Sequence, residues 1–499
     1  MKWNNFLHLN EVLYPEKTAI VDQRSNLSYN YSELSHIANS WALYLQNLGI
    51  EKGDRVAILA QNRFEHISLL FAVSKLGAIL VPLNFRLSIG EVDSILERIE
   101  AKVLLAEGEQ QQNYSGKYIN LNEFDYATLR ELATTHVDLS AYFEETSSTL
   151  DDDILMQFTS GSTGIPKGVL MHGRMLLSNQ EGTVKNWQLT NDDVTMVETP
   201  FFHTGGYNVL CLPLLFLGGK VVLAEKFDVE NVFRTILKER ITVYFGVPTM
   251  FQMIADTDSF DYMDFSSLRF FVSGGSACPV ELIEQYQQKD LSFKQGFGLT
   301  EVGPNCFLLE SIDAITKLGS IGKPMSHSNV LVKGLSGDIA KVNEVGELLI
   351  KGDHLCRGYY ADENRFNESL DNGYFKTGDL VRFDEDGFFY VTGRIKDMYI
   401  SGGENVYPGE VEKQLVTIKG VQEAVVVAIP SMKWGEVGHA FLQTKQRLIS
   451  SDDIRDLLKD SLSRYKFPHS VECLDTFPLL ANGKVNRNKL KEMATLIGR

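Results

Sequence analysis

The sequence predicts an α/β protein: a large N-terminal domain of layered α/β subdomains with a small β subdomain, then a small C-terminal α+β domain. Three observations lead there. At 499 residues the chain is too long for one ordinary core. From residue 56 to residue 288, short apolar runs alternate with stretches of helical apolar spacing, the pattern of a largely parallel sheet. Past residue 310 the strands shorten and turns crowd between them, and after a polar, glycine-bearing stretch at 393–403 a new α/β pattern begins. The domains are expected at 1–394 and 395–499.

In order, strands are expected at 56–60, 79–82 and 102–105, with helices at 64–77 and 91–99. The segment 106–153 is polar and poorly periodic and reads as a surface connection. The alternation resumes with strands at 220–223 and 243–245, a helix at 229–239, a strand at 268–272 and a helix at 280–288. Short strands at 346–350, 373–375 and 388–391 make the β subdomain. Helices at 409–416, 452–464 and 487–493 and strands at 423–429 and 439–443 complete the C-terminal domain.

Composition bounds the partners. With 44% hydrophobic and 23% charged residues the chain reads as an ordinary globular protein, and its net charge of −17 argues against nucleic acid or an anionic membrane surface as a partner. The five cysteines are odd in number, scattered and without a Cys-x-x-Cys pair, so they read as buried free thiols in a reducing compartment. The N-terminal residues show no signal-peptide pattern, and the longest apolar run, 209–217, is half a membrane span. A cytoplasmic location is expected.

Six stretches carry chemistry. Residues 159–169 read Thr-Ser-Gly-Ser-Thr-Gly-Ile-Pro-Lys-Gly-Val, with four hydroxyls, three glycines and one lysine after an apolar run. Amides and hydroxyls from Thr159, Ser160, Gly161, Ser162, Thr163 and Gly164, with the charge of Lys167, suit a phosphate. The Gly-x4-Gly-Lys-Ser/Thr P-loop is excluded, because Lys167 lies between Pro166 and Gly168. A strand ending in Gly274, Gly275 and Ser276 before a helix is where open α/β sheets bind ligands. In 295–301, Gln-Gly-Phe-Gly-Leu-Thr-Glu, Gly296 and Gly298 leave a flat face, Phe297 offers a stacking surface, and Glu301 beside Thr300 is a hard oxygen ligand suited to Mg²⁺. Asp379 ends Thr-Gly-Asp and offers two acceptor oxygens to a vicinal diol. Finally, 393–412 is a polar segment containing Arg394, Lys396, Gly402 and Gly403, and Lys484 follows a glycine near the end.

Together and in this order, these motifs resemble those of the adenylate-forming superfamily: acyl-CoA synthetases, aryl-CoA ligases, luciferases and peptide-synthetase adenylation domains. The resemblance covers nearly the whole chain. It implies ATP, Mg²⁺ and coenzyme A as cofactors or co-substrates, and a C-terminal domain that swings over a cleft. By it, 159–167 cradles nucleotide phosphate, Phe297 packs on adenine, Thr300 and Glu301 contact phosphate and magnesium, and Asp379 holds ribose. Arg394 supports that region, Lys396 is the hinge, Gly402 and Gly403 line the thiol tunnel, and Lys484 neutralises charge at the α-phosphate. Residues 201–207, Phe-Phe-His-Thr-Gly-Gly-Tyr, fill the acyl-site motif, with His203 gating or positioning the carboxyl group.

The chain departs from the pattern at Phe297, where many relatives carry Tyr, and at Leu479, where relatives often carry a basic residue. No acidic residue stands in 201–207, which speaks against an amino-acid substrate. Small residues at Gly205, Gly206, Gly274 and Gly275 leave room near the carboxyl end, and Tyr207, Val209 and Phe307 suggest an apolar wall. The expected substrate is a medium- or long-chain fatty acid, with an aryl acid, o-succinylbenzoate or loading of a carrier protein as alternatives. A homodimer stays open.

Overall fold

A computed structural model describes residues 3, 5–108, 115–124, 149–159, 166–444, 449–458, 462–480 and 484–497. The chain forms two compact units: residues 1–330 with 350–375, and residues 331–349 with 376–499. No helix among the described residues is long and apolar enough to cross a membrane.

The first unit is built on three sheets. The largest runs in the order Gly358–Tyr359, Lys167–His172, Asp153–Thr159, Ile79–Pro82, Arg55–Leu59, Val103–Ala106, Lys117–Asn120. Its second half is parallel and its first half antiparallel. The helix Phe64–Leu76 is buried nearly all round, so apolar residues occupy every face rather than one stripe. The helix Ile89–Arg98 starts two residues earlier than expected, because Ser88 and Glu91 form a reciprocal capping box. Its Val92, Ile95 and Leu96 pack against Ala57, Leu59 and Val81 of the sheet.

The strand Lys117–Asn120 corrects the reading of 106–153 as a mere connection. It pairs in parallel with Val103–Ala106 at the sheet's edge; within that segment, 109–114 and 125–148 lie outside the described residues. A second sheet runs Val243–Gly246, Phe270–Ser273, Phe293–Leu299, Gly303–Leu309, Lys323–Pro324, and a third runs Leu27–Asn30, Thr18–Asp22, Lys220–Leu223, Val194–Val197.

The second unit contains the antiparallel pair made by Phe389–Arg394 on Tyr374–Phe383. Its other sheet runs Glu404–Val406, Tyr399–Ser401, Gly435–Thr444, Val421–Ser431, with Ser470–Leu474 parallel to Gly435–Thr444. Strand Val421–Ser431 is almost continuously apolar because both faces are covered. Ala424, Val426 and Ala428 pack with Val411 and Leu415, while Val425 and Val427 pack with Leu490 and Ala494. The helix expected at 452–464 is Ser451–Leu458, and after 459–461, outside the described residues, a 3₁₀ turn follows at Arg464–Lys466. Of the five thiols, Cys211, Cys306 and Cys356 are buried, while Cys278 and Cys473 are half-buried, against the expectation that all are buried.

Candidate active site

The phosphate-loop motif is the connection of a β-hairpin. Thr159 ends one strand, Lys167 begins its antiparallel partner, and the two stand opposite each other. Ser160, Gly161, Ser162, Thr163 and Gly164 lie outside the described residues. The Lys167 ammonium sits 4.4 Å above the ring centroid of Tyr359, whose strand pairs with that of Lys167 in the register Tyr359↔Val169.

Tyr359 also reaches Glu301. Its hydroxyl donates to Glu301 Oε1 at 3.1 Å. Burial, then the Glu301 carboxylate, pushes the phenol pKa well up, so the group stays a donor. Glu301 lies between Thr300 and Val302 in a 3₁₀ turn, and all but Val302 are half-buried. The turn is gripped twice more: Cys356 N–H donates to Glu301 O at 2.8 Å, and His354 Nδ1 lies 2.6 Å from Val302 O. A carbonyl only accepts, so His354 carries its proton on Nδ1, and burial lowers its pKa to keep the ring neutral.

A partly buried carboxylate, a protonated phenol and an ammonium make a donor set that fits Mg²⁺-bound phosphate. Magnesium takes one or two carboxylates and completes its shell with waters and phosphate oxygens. Glu301 would hold the cation and Lys167 the phosphate charge.

Gly296, Phe297 and Gly298 belong to strand Phe293–Leu299, not to a turn. Phe297 is half-buried and meets Phe307 edge-on at 5.7 Å. A Cβ on Gly296 would make only ordinary contact with Trp187 at 3.8 Å, so its face is open as expected. Gly298 differs: a Cβ there would stand 2.3 Å from Gly303 O, where the ladder shifts register, so this glycine serves backbone approach rather than a flat face. Gly274 is buried after strand Phe270–Ser273, close to Gly296, while Gly275, at φ +84°, and Ser276 are exposed.

His203 precedes the short helix Thr204–Asn208, half-buried, its ring 4.4 Å from that of Phe202. The room expected around Gly205, Gly206 and Gly274 is largely taken. A Cβ on Gly206 would meet Pro200 O at 2.7 Å, and the Phe245 ring lies between Gly205 and Gly274, where added Cβ atoms would come within 3.0 and 3.3 Å of it. Tyr207, Val209 and Phe307 are buried, and the Tyr207 hydroxyl donates to His66 O at 2.9 Å. A small cavity beside Phe245 is lined by Thr199, Gly205, Gly206, Leu210 and Cys211.

In the second unit, Asp379 and Arg394 stand opposite each other, with Arg394 Nε 2.6 Å from Asp379 Oδ1. The carboxylate is 3% exposed and the guanidinium side chain 43%, so the pair is anchored on one side and open on the other. Lys396 is exposed in the 3₁₀ turn Ile395–Asp397. Gly402 and Gly403, at φ +61° and +88°, form the two-residue turn between Tyr399–Ser401 and Glu404–Val406. Lys484 is exposed, its carbonyl accepting from Leu480 N–H at 2.8 Å, and Asn482 and Gly483 lie outside the described residues.

The first unit therefore brings Lys167 and Glu301 together, through Tyr359; the second brings Asp379 and Arg394 together. Sequence reasoning missed Tyr359, His354 and Phe245. Only the Gly358-Tyr359 dipeptide on a short strand hinted at the first.

Residues 10–360 match the model of the AMP-binding enzyme family, and 410–484 that of the AMP-binding enzyme C-terminal domain. The chain is 36% identical over 481 residues to a feruloyl-CoA synthase of Amycolatopsis sp, covering 96% of each. It is 32% identical over 482 residues to a long-chain-fatty-acid–CoA ligase of Mycobacterium tuberculosis, covering 96% of this chain and 95% of the relative. Its fold is similar to that of an o-succinylbenzoate CoA synthetase of Bacillus subtilis solved with its acyl-adenylate intermediate, with a TM-score of 0.86, 30% identity and 98% of each chain covered. The same synthetase with ATP and magnesium gives a TM-score of 0.85 at 29% identity, covering 98% of this chain and 99% of that one. On this agreement of motifs, fold and whole-length relatives, the chain belongs to the AMP-binding enzyme family, within the adenylate-forming superfamily.

Proposed function

We propose that the chain is an ATP-dependent acid–CoA ligase. A carboxylic acid attacks the α-phosphate of ATP, pyrophosphate leaves, and the thiol of coenzyme A then takes the acyl group and releases AMP. The observation that carries this is the meeting of Lys167, Tyr359 and Glu301. In the first step two anions must approach, so the barrier is largely electrostatic. Magnesium, when bound, supplies positive charge at the phosphates. Lys167 holds the phosphate tail, Asp379 accepts from the ribose diol with Arg394 beside it, and Phe297 gives adenine its stacking surface. Lys484 adds charge at the α-phosphate, Lys396 is the hinge, and Gly402 and Gly403 let the thiol arm pass. His203 positions the acid's carboxyl group.

For the acid, Phe245 favours a compact aryl or succinylbenzoyl group over a medium- or long-chain fatty acid. Its ring stands between Gly205 and Gly274, within 3.0 and 3.3 Å of Cβ atoms added there, beside the stretch that fills the acyl-site motif. The relatives named above act, by their names, on feruloyl, succinylbenzoyl and long-chain fatty acyl groups, so they leave this choice to the pocket.

The test is AMP release from ATP and Mg²⁺, with and without coenzyme A, across aryl, succinylbenzoyl and fatty acids. Turnover with compact acids that requires coenzyme A supports the reading, and Phe245→Ala should then shift kcat/KM toward longer acids. A parent enzyme that prefers long fatty acids overturns the compact-acid reading. AMP formed equally well without coenzyme A points to another acceptor such as a carrier protein, and no turnover with any acid sinks the ligase reading.

A further inference from the structure

We propose that Tyr359 is a positioning residue that couples the phosphate-loop lysine to the magnesium carboxylate, its ring seating Lys167 and its hydroxyl orienting Glu301. The inference rests on the ATP- and Mg²⁺-dependent reading above. Residues 354–360 bind two elements that are far apart in sequence. On one side, Arg357 N–H donates to Leu170 O at 3.0 Å and Tyr360 N–H to Gly168 O at 2.7 Å, fixing the segment to the Lys167 strand. On the other, the contacts from Cys356 and His354 fix it to the Glu301 turn. The Tyr359 side chain touches both charged groups.

A purely structural role would need only the ring. Tyr359 is 4% exposed and packs edge-on against Phe366 at 5.6 Å, which a phenylalanine would also do. The hydroxyl serves something else. It occupies Glu301 Oε1 and so sets the plane of the carboxylate, leaving Oε2 for a hard cation. The ring face meanwhile seats the Lys167 ammonium by a cation–π contact, on the same side chain that orients the carboxylate.

Two variants of the full chain separate ring from hydroxyl. ATP binding is measured by calorimetry with and without Mg²⁺, alongside the Mg²⁺ half-saturation of AMP release, the KM of each substrate and the unfolding temperature. Tyr359→Phe should raise the Mg²⁺ half-saturation on the order of tenfold, with Mg²⁺-free ATP affinity and the KM values of acid and coenzyme A unchanged. Tyr359→Leu should in addition weaken Mg²⁺-free ATP binding about threefold, by removing the lysine's seat. An unchanged Mg²⁺ dependence in Tyr359→Phe overturns the proposal, as does a uniform shift of every constant together with the unfolding temperature. A parent that neither binds ATP nor releases AMP overturns this and the ligase reading together; an active parent with unaffected variants overturns this one alone.

Discussion

The two units carry their site residues in opposite ways. In the first, Lys167 and Glu301 stand on a hairpin and a turn that are locked by ladder and backbone hydrogen bonds, with the nearly buried Tyr359 between them. In the second, Lys396, Gly402, Gly403 and Lys484 are all exposed on turns. Among the site residues described there, Asp379 is buried. The difference separates residues whose geometry is prepared by the fold from residues that the fold merely presents. Substitution in the first group should disturb binding and stability together, whereas substitution of the exposed lysines of the second should disturb the reaction alone.

Lys484→Ala is the strongest test of that division. If the lysine supplies charge at the α-phosphate, its loss should lower kcat for AMP formation about a thousandfold. Being exposed, it should leave the unfolding midpoint within about 0.5 kcal/mol of the parent. A rate loss accompanied by a comparable stability loss would erase the contrast between the units.

The next largest effect belongs to the first unit and depends on pH. Glu198 is 5% exposed and accepts a hydrogen bond from the Tyr244 hydroxyl at 2.5 Å, and burial raises its pKa to about 8. Between the ordinary carboxylate pKa and about 8, the native state keeps a proton that the unfolded chain has lost. Stability from this group is therefore full at acid pH and falls as pH rises through that window. Glu198→Gln should flatten the fall, with a gain over the parent on the order of 3 kcal/mol by pH 8, read by urea unfolding at several pH values. Parallel curves for the two proteins would mean that Glu198 is already ionised in the folded state.

How much of this was legible in the sequence follows the same line. Ile79–Pro82, Lys220–Leu223 and Val229–Glu239 stand where expected, because a short apolar run or a strong helical stripe announces itself locally. Lys117–Asn120 was not legible. Its Lys-Tyr-Ile-Asn has too little apolar pattern and becomes a strand only through the edge it pairs with. The glycines near His203 looked like space because sequence cannot show that Pro200 O and Phe245 already crowd them. Tyr359 had only the weak signal of the Gly358-Tyr359 dipeptide for a related reason: its importance comes from two partners brought to it by a sheet register and a turn. The ordered motifs announced the family, but not the residue that joins two of them.

The Asp379–Arg394 pair is where the second unit resembles the first, and a pair of variants sharpens the comparison. Arg394→Ala leaves a buried carboxylate without its guanidinium and should cost about 2 kcal/mol. Asp379→Asn leaves an arginine that already reaches solvent and should cost about 1 kcal/mol. By the ribose role, Asp379→Asn should nevertheless weaken ATP binding more, by about tenfold. Equal effects on both readouts would make the pair a structural bridge only.

The Gly402-Gly403 turn shows whether those glycines serve the turn or the ligand. Both have positive φ, so an alanine at either position should cost about 1 kcal/mol of backbone strain. Gly402 carries a second constraint. Its N–H donates to Trp434 O at 2.9 Å, and a Cβ there would stand 2.9 Å from Trp434 Cε3, whereas nothing lies within 4 Å of a Cβ on Gly403. Gly402→Ala should therefore destabilise by about 1 kcal/mol more than Gly403→Ala, and Trp434→Ala should remove that excess in a double-mutant cycle read by urea unfolding. With stability accounted for in this way, Gly403→Ala becomes the clean probe of function. Open space around its Cβ means that any rise in the coenzyme A KM beyond the change in stability reports an approaching thiol arm, while an unchanged KM would assign Gly403 to the turn alone.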